Sequence, residues 1–127
     1  MDLKHIPVLD HSKVQELLDL ERQSQTPLLS ELIEIYEKIA PERIIKMTKA
    51  LAQRDWLSIK SEAHAFKAST GNLGFSRAFT LCREIEKQAS ASDYAKTETL
   101  LIEINREMFY ALDALKEFLM RLNRKSA

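Results

Sequence analysis

An all-α fold, an antiparallel four-helix bundle with an additional short N-terminal helix, is what this sequence predicts, and three observations carry the prediction. Only two glycines and three prolines punctuate 127 residues, which leaves little turn chemistry for hairpins. Apolar residues recur at alternating spacings of three and four, the period of a helix with one buried face. The connections between those stripes are short, and amphipathic helices joined by short links pack antiparallel around their seams. The chain reads as a single domain over 1–127. Its bundle core spans about 27–123 and its N-terminal helix about 12–24.

Each element has its own signal. Ser12 followed by Gln15 has the form of a capping box, and Val14, Leu17 and Leu18, with Leu20 at the margin, give a first helix of about three turns. Thr26-Pro27 starts the second, with Pro27 suited to the first helical position. Leu29, Leu32, Tyr36 and Ile39 form its stripe up to Pro41, a kink or short break after which the register shifts to Ile44, Met47 and Leu51. Asp55 caps a third helix along Trp56, Ile59, Ala63, Phe66, Thr70 and Leu73, and Gly74 ends it. A fourth stripe runs through Phe75, Ala78, Cys82, Ile85 and Ala89, followed by a loop over Ser90 to Asp93. The last and cleanest is Leu101, Ile104, Met108, Ala111, Leu115, Phe118 and Leu122.

Composition excludes several classes of function. Lys plus Arg and Asp plus Glu each number 19, so no basic field exists to gather nucleic acid. A lone cysteine, Cys82, forms no internal disulfide and fits a reducing compartment. Met1 to Asp10 lacks a signal-peptide core, and no run approaches the roughly 18 apolar residues of a membrane span. A cytoplasmic protein with neither membrane nor nucleic acid as partner is expected.

Few side chains can do chemistry. Bundles hold metals with Glu-x-x-His pairs on facing helices, but no Glu precedes His64 by three residues, and His5 and His11 lie near the N-terminus. No metal site is expected. No glycine-rich phosphate loop is present to bind a nucleotide. Cys82 lies in an apolar stripe, where cysteine acts as a small core residue. His64 differs, because it falls beside the seam of its helix rather than in it, leaving the imidazole partly exposed. Residues three and four away share its face: Lys60, Ser61, Lys67 and Ala68, with Gly71 two turns along. Once such a ring is phosphorylated, a neighbouring ammonium faces a group with close to two negative charges, and small neighbours leave room for a partner to close over it. The same features also describe an ordinary helix-surface histidine beside lysines, which is the commoner case.

The segment Ala63-His64-Ala65-Phe66-Lys67-Ala68-Ser69-Thr70-Gly71-Asn72-Leu73-Gly74 closely resembles the signature of histidine-containing phosphotransfer (HPt) domains: alanine-histidine, two residues, lysine, a small residue, then a polar stretch to asparagine, a hydrophobic residue and glycine. Leu81-Cys82-Arg83-Glu84-Ile85-Glu86 resembles the family's following helix, and Val8-Leu9-Asp10 and Pro41-Glu42-Arg43 also sit where members have similar residues. The resemblance implies that His64 is the phosphoacceptor and that Lys67 neutralises the phosphoryl group. It implies that Glu86 holds the other imidazole nitrogen, unless Glu86 pairs on the surface with Lys87 or Arg83. Lys60, Ser61, Ala68 and Gly71 then form the receiver-docking face. The sequence departs from the pattern at Ala68, where the family usually has glycine; the extra methyl bears on partner range and transfer rate.

By the same resemblance the protein is a phosphorelay intermediate, taking a phosphoryl group from a receiver aspartate and passing it to the receiver of another response regulator. It needs no cofactor of its own, magnesium being held by the receiver, and it is a phosphocarrier without autonomous kinase activity. Its partners are a response-regulator receiver domain and a hybrid sensor histidine kinase, and it acts as a monomer. Two other readings compete. One is a non-phosphorylated receiver-binding helical adaptor, against which the presence of both His64 and Lys67 argues. The other is part of a histidine autokinase, against which the single mid-chain motif and the start at Met1 argue.

Overall fold

The computed structural model describes residues 2–126, with side chains through Asn123. Its described residues form α1 (His11–Ser24), α2 (Leu28–Ala52), α3 (Trp56–Asn72), α4 (Ser76–Ser90) and α5 (Tyr94–Ser126), and no strand occurs among them. α2 packs on α3, α3 on α4, α4 on α5 and α5 back on α2, which closes a four-helix ring, while α1 lies against α2. This is the all-α bundle with a short leading helix that the stripes predict.

The helix starts differ from the sequence expectation in two places. Asp10, not Ser12, caps α1, its carboxylate accepting from the amides of Ser12 and Lys13 at 3.0 and 3.3 Å. Ser12 is already helical, so the apparent capping box with Gln15 is not used. Pro27 is the N-cap of α2 rather than its first helical residue. A proline has no side-chain acceptor to offer there, and Glu21 of α1 supplies one by accepting from the Leu29 amide at 3.0 Å. Asp55 caps α3 as expected, and hydrogen bonds from the Ser58 hydroxyl and amide hold its carboxyl below the usual range.

Pro41 neither breaks α2 nor shifts its register. The helix runs continuously through it, and the residues facing the core are Leu29, Ile33, Tyr36, Ala40, Ile44, Met47 and Leu51. These repeat at spacings of three and four straight past the proline. Leu32 and Ile39 lie only partly buried beside that seam, and Leu20 on α1 is exposed. Pro41 removes one backbone hydrogen bond, a loss the surrounding packing outweighs. The core itself is anchored by an aromatic group, Tyr36 lying 5.8 Å from Phe66 and edge-on to Phe75 at 5.0 Å, a geometry that adds directional attraction to burial.

Three turns share one design. In Gln53-Arg54-Asp55, Leu73-Gly74-Phe75 and Ala91-Ser92-Asp93 the middle residue has positive φ, at 52°, 76° and 54°. Its amide returns to the carbonyl three residues back, and the following amide bonds one five residues back: Arg54 to Leu51 and Asp55 to Ala50, Gly74 to Gly71 and Phe75 to Thr70, Ser92 to Ala89 and Asp93 to Gln88. This doubly bonded helix ending normally favours glycine, yet only one of the three has it. The reason is the N-terminal segment. The Asp10 amide donates to the Gly74 carbonyl at 2.7 Å, and a Cβ on Gly74 would lie 3.0 Å from the Asp10 carbonyl oxygen and 3.1 Å from Lys13 Cβ. The segment is tied at a second point, where Arg77 Nε donates to the Ile6 carbonyl, and His11 stacks on Phe118 at 4.7 Å.

Gly74→Ala is therefore expected to lower the unfolding free energy by about 2 kcal/mol, combining left-handed strain with displaced contacts. Ser92→Gly, at similar φ but exposed, should stay within about 1 kcal/mol of wild type. Chemical denaturation of both variants checks this, and equal effects would mean that the N-terminal segment yields freely.

Candidate functional site

Ile59, Ala63, Phe66 and Thr70 form the buried seam of α3. One residue past Ala63, the helix turns through about 100° and carries the next side chain out of the core. His64 is accordingly open, with 74% of its side chain exposed, whereas Lys67 and Glu86 beside it keep only 22% and 24%. Lys67 lies one turn on and leans toward α4, so its ammonium is not the freely exposed charge that sequence position alone suggests.

The three side chains meet at one atom. Glu86 Oε1, on α4, is 2.9 Å from Lys67 Nζ and 3.6 Å from His64 Nδ1. That oxygen is shielded from solvent and makes no well-directed hydrogen bond, so its hold on the ammonium is ionic. The ion pairs of Glu86 run across to α3 and not to Lys87 or Arg83, and the nearer partner is Lys67, a pairing that neither expectation for Glu86 named. Below the site, the Thr70 hydroxyl donates to the Lys67 carbonyl at 2.9 Å. Cys82 is fully buried, and burial pushes its thiol up to about 12, in keeping with a core role.

The other residues expected around His64 separate. Lys60, Ser61 and Ala68 are exposed on the outer side of α3. Gly71 is on the α4 side and partly covered, since a Cβ there would lie 3.3 Å from the Phe79 ring. Phe79 and Arg83, whose guanidinium stands 6.0 Å from that ring, border the same edge of the site. Leu57, two turns before His64 on the same face, is 77% exposed. Sequence reading passed over Phe79 and Leu57, although each is a large apolar residue out of register with its own seam, and that mismatch is a usable signal.

Nothing encloses a substrate here. Of the concavities on the surface, one reaches the α4 edge of the site, where Gly71, Phe79 and Arg83 line it together with Asp10 and Lys13, another lies between α4 and α5 around Glu84, Gln88 and Thr99, and none is lined by His64. No helix among the described residues is long and apolar enough to cross a membrane. A single open imidazole with a cation and an anion at its side is an arrangement able to carry a group for a partner.

Comparison with known proteins specifies the class. The family model of the Hpt domain matches residues 31–122, from early α2 to near the end of α5, and the chain belongs to the Hpt domain family. Its role is histidine phosphotransfer within the phosphorelays of two-component signalling. Members interact with receiver domains and histidine kinases and are in general phosphocarriers without kinase activity. Among solved structures, histidine-containing phosphotransfer protein B from Pseudomonas aeruginosa is similar with a TM-score of 0.79 at 22% identity, covering 91% of this chain and 97% of that one. A histidine-containing phosphotransfer protein from maize is similar with a TM-score of 0.78 at 18% identity, covering 98% and 91%. At these identities the likeness is one of fold. No match by sequence is found among the curated proteins.

Ala68 is exposed and lies four residues on from His64, on the same face of α3. Ala68→Met keeps helix propensity but lays a flexible side chain across the face; transfer from a phosphorylated receiver should slow roughly tenfold with little change in melting temperature. Ala68→Gly should instead cost about 0.5 to 1 kcal/mol of stability and leave transfer intact. Stopped-time transfer assays and thermal melts separate the two effects, and undiminished transfer by Ala68→Met would move the docking face away from Ala68.

Proposed function

We propose that His64 is the residue that carries the phosphoryl group, accepting it from a receiver aspartate and passing it to a second receiver. The observation that carries this reading is the open imidazole whose Nδ1 lies 3.6 Å from the Glu86 carboxylate, with the Lys67 ammonium on the same oxygen. With Nδ1 turned to a carboxylate, its proton stays on that nitrogen and Nε2 is the nucleophile. The receiver's acyl P–O bond breaks as the Nε2–P bond forms, the receiver keeps the bonding pair as a free carboxylate, and Nδ1 retains its proton. Phosphoryl transfer of this kind depends mainly on alignment and charge neutralisation, to which one presented ring and one cation contribute. The protein needs no cofactor of its own, and magnesium comes with the receiver. Lys60, Ser61 and Ala68 line the docking face, with Gly71 and the Phe79 ring at its α4 edge. The protein works as a cytoplasmic monomer between a hybrid sensor histidine kinase and a response regulator.

Incubation with a phosphorylated receiver should label the protein with an acid-labile, base-stable phosphate, the behaviour of a phosphoramidate. His64→Gln should abolish labelling while circular dichroism stays helical; equal labelling of wild type and variant would rule out His64. Lys67→Ala should slow transfer roughly tenfold, as expected for losing one charge-assisted contact to the phosphoryl group, without unfolding the bundle. A rate unchanged with several receivers would remove Lys67 from the mechanism. With ATP and magnesium alone no label should appear.

A further inference from the structure

We propose that phosphorylation makes Lys67 change partners, leaving Glu86 for the phosphoryl group, and that Glu86 is thereby a positioning residue that limits how firmly this protein holds its phosphoryl group. The inference rests on the assignment of His64 as phosphoacceptor. In the unphosphorylated protein the cation that leans past the ring toward α4 is already engaged, at 2.9 Å from Glu86 Oε1. A phosphoryl group arriving on Nε2 brings close to two negative charges, and one ammonium cannot fully neutralise both it and the carboxylate. The shielded Glu86 oxygen has a replacement at hand, because Nδ1 is 3.6 Å from the same atom and carries the proton that Nε2 lacks. As the lysine leaves, a modest turn of the ring brings that N–H onto the oxygen, so the carboxylate is not stranded. Part of the attraction between Lys67 and the phosphoryl group goes into breaking the resting ion pair, which biases the protein toward onward donation.

The test is a double-mutant cycle on the equilibrium partition of phosphate between this protein and a receiver, for wild type, Glu86→Gln, Lys67→Met and the double variant. Glu86→Gln keeps an oxygen acceptor for Nδ1 and removes only the charge, and every effect of Glu86 on the ring itself cancels in the cycle. The pairwise contribution remains. Changing Glu86 to Gln should shift the partition toward the phosphorylated form by roughly fivefold more with Lys67 present than with Met in its place, the range of a partly covered ion pair lost in one state. The same shift in both backgrounds would mean that Lys67 stays with Glu86 throughout, which overturns the proposal. Helical circular dichroism of all four proteins guards against a folding artefact. Label that persists in His64→Gln would overturn the phosphoacceptor assignment instead, so the two failures are distinguishable.

Discussion

The geometry of this protein depends on one turn. Leu73, Gly74 and Phe75 connect α3 to α4 with a doubly hydrogen-bonded helix ending, and both helices rise by about 1.5 Å per residue, so residues equally far from the turn in sequence stay level across the interface. Gly71 and Phe79, four residues either side of Phe75, are close enough that a Cβ on Gly71 would lie 3.3 Å from the Phe79 ring. His64 and Glu86, eleven residues either side, come within 3.6 Å. A slip of a single residue at the turn would rotate Glu86 by about 100° about the axis of α4 and remove it from the site. The N-terminal segment closes on the same turn, through the Asp10 amide and the Gly74 carbonyl, which makes the leading helix a brace for the register of the two helices that carry the chemistry.

The division between what holds the fold and what does the work is sharp. Phe66, Thr70, Tyr36, Phe75 and Cys82 lie beneath the site and are almost wholly buried; burying the large apolar side chains among them contributes on the order of 1.5 to 3 kcal/mol each. The ion pair above them is partly exposed and adds about 1 kcal/mol or less. A rearrangement of Lys67 and Glu86 would thus cost the bundle little. The backbone under Lys67 is fixed by the Thr70 hydroxyl, so only the lysine's own flexible stem has to move.

The bundle and its chemistry were legible in the sequence to different depths. Helix number and the seams of α3, α4 and α5 follow from spacing alone, because burial in a helix repeats every three or four residues wherever the chain goes; spacing also puts His64 beside its seam, but only the family likeness sets it apart from an ordinary surface histidine. The α2 seam was misread for a local reason. Adjacent apolar residues compete for the core there, Leu32 with Ile33 and Ile39 with Ala40, and choosing Leu32 and Ile39 creates a false register shift at Pro41. Small Ala40 is the fully buried member, while Ile39 beside it is only partly covered. The Lys67–Glu86 pair was out of reach of periodicity, since it joins residues on two helices through a register that a turn sets. Glu86 entered only through family likeness, and its alternatives on its own helix looked equally good.

Why so sparse a site suffices follows from its asymmetry. On the α4 side His64 is walled by Glu86 and Lys67, with Phe79 filling the space over Gly71; on the other side lie Lys60, Ser61 and Ala68, all exposed. A ring flanked on one side and bare on the other is open to approach from the bare side. In the proposed role the walled side supplies a cation, while the bare side leaves space for a partner to bring everything else the transfer requires. Enclosing the histidine in a pocket of its own would strengthen each of these contacts and would also exclude the second active site that must close over it. Under the proposed assignment, the exposure of His64 is the structural condition for receiving and giving the same group, and the carboxylate beside Lys67 favours giving it, because the lysine is never fully committed to the phosphoryl group.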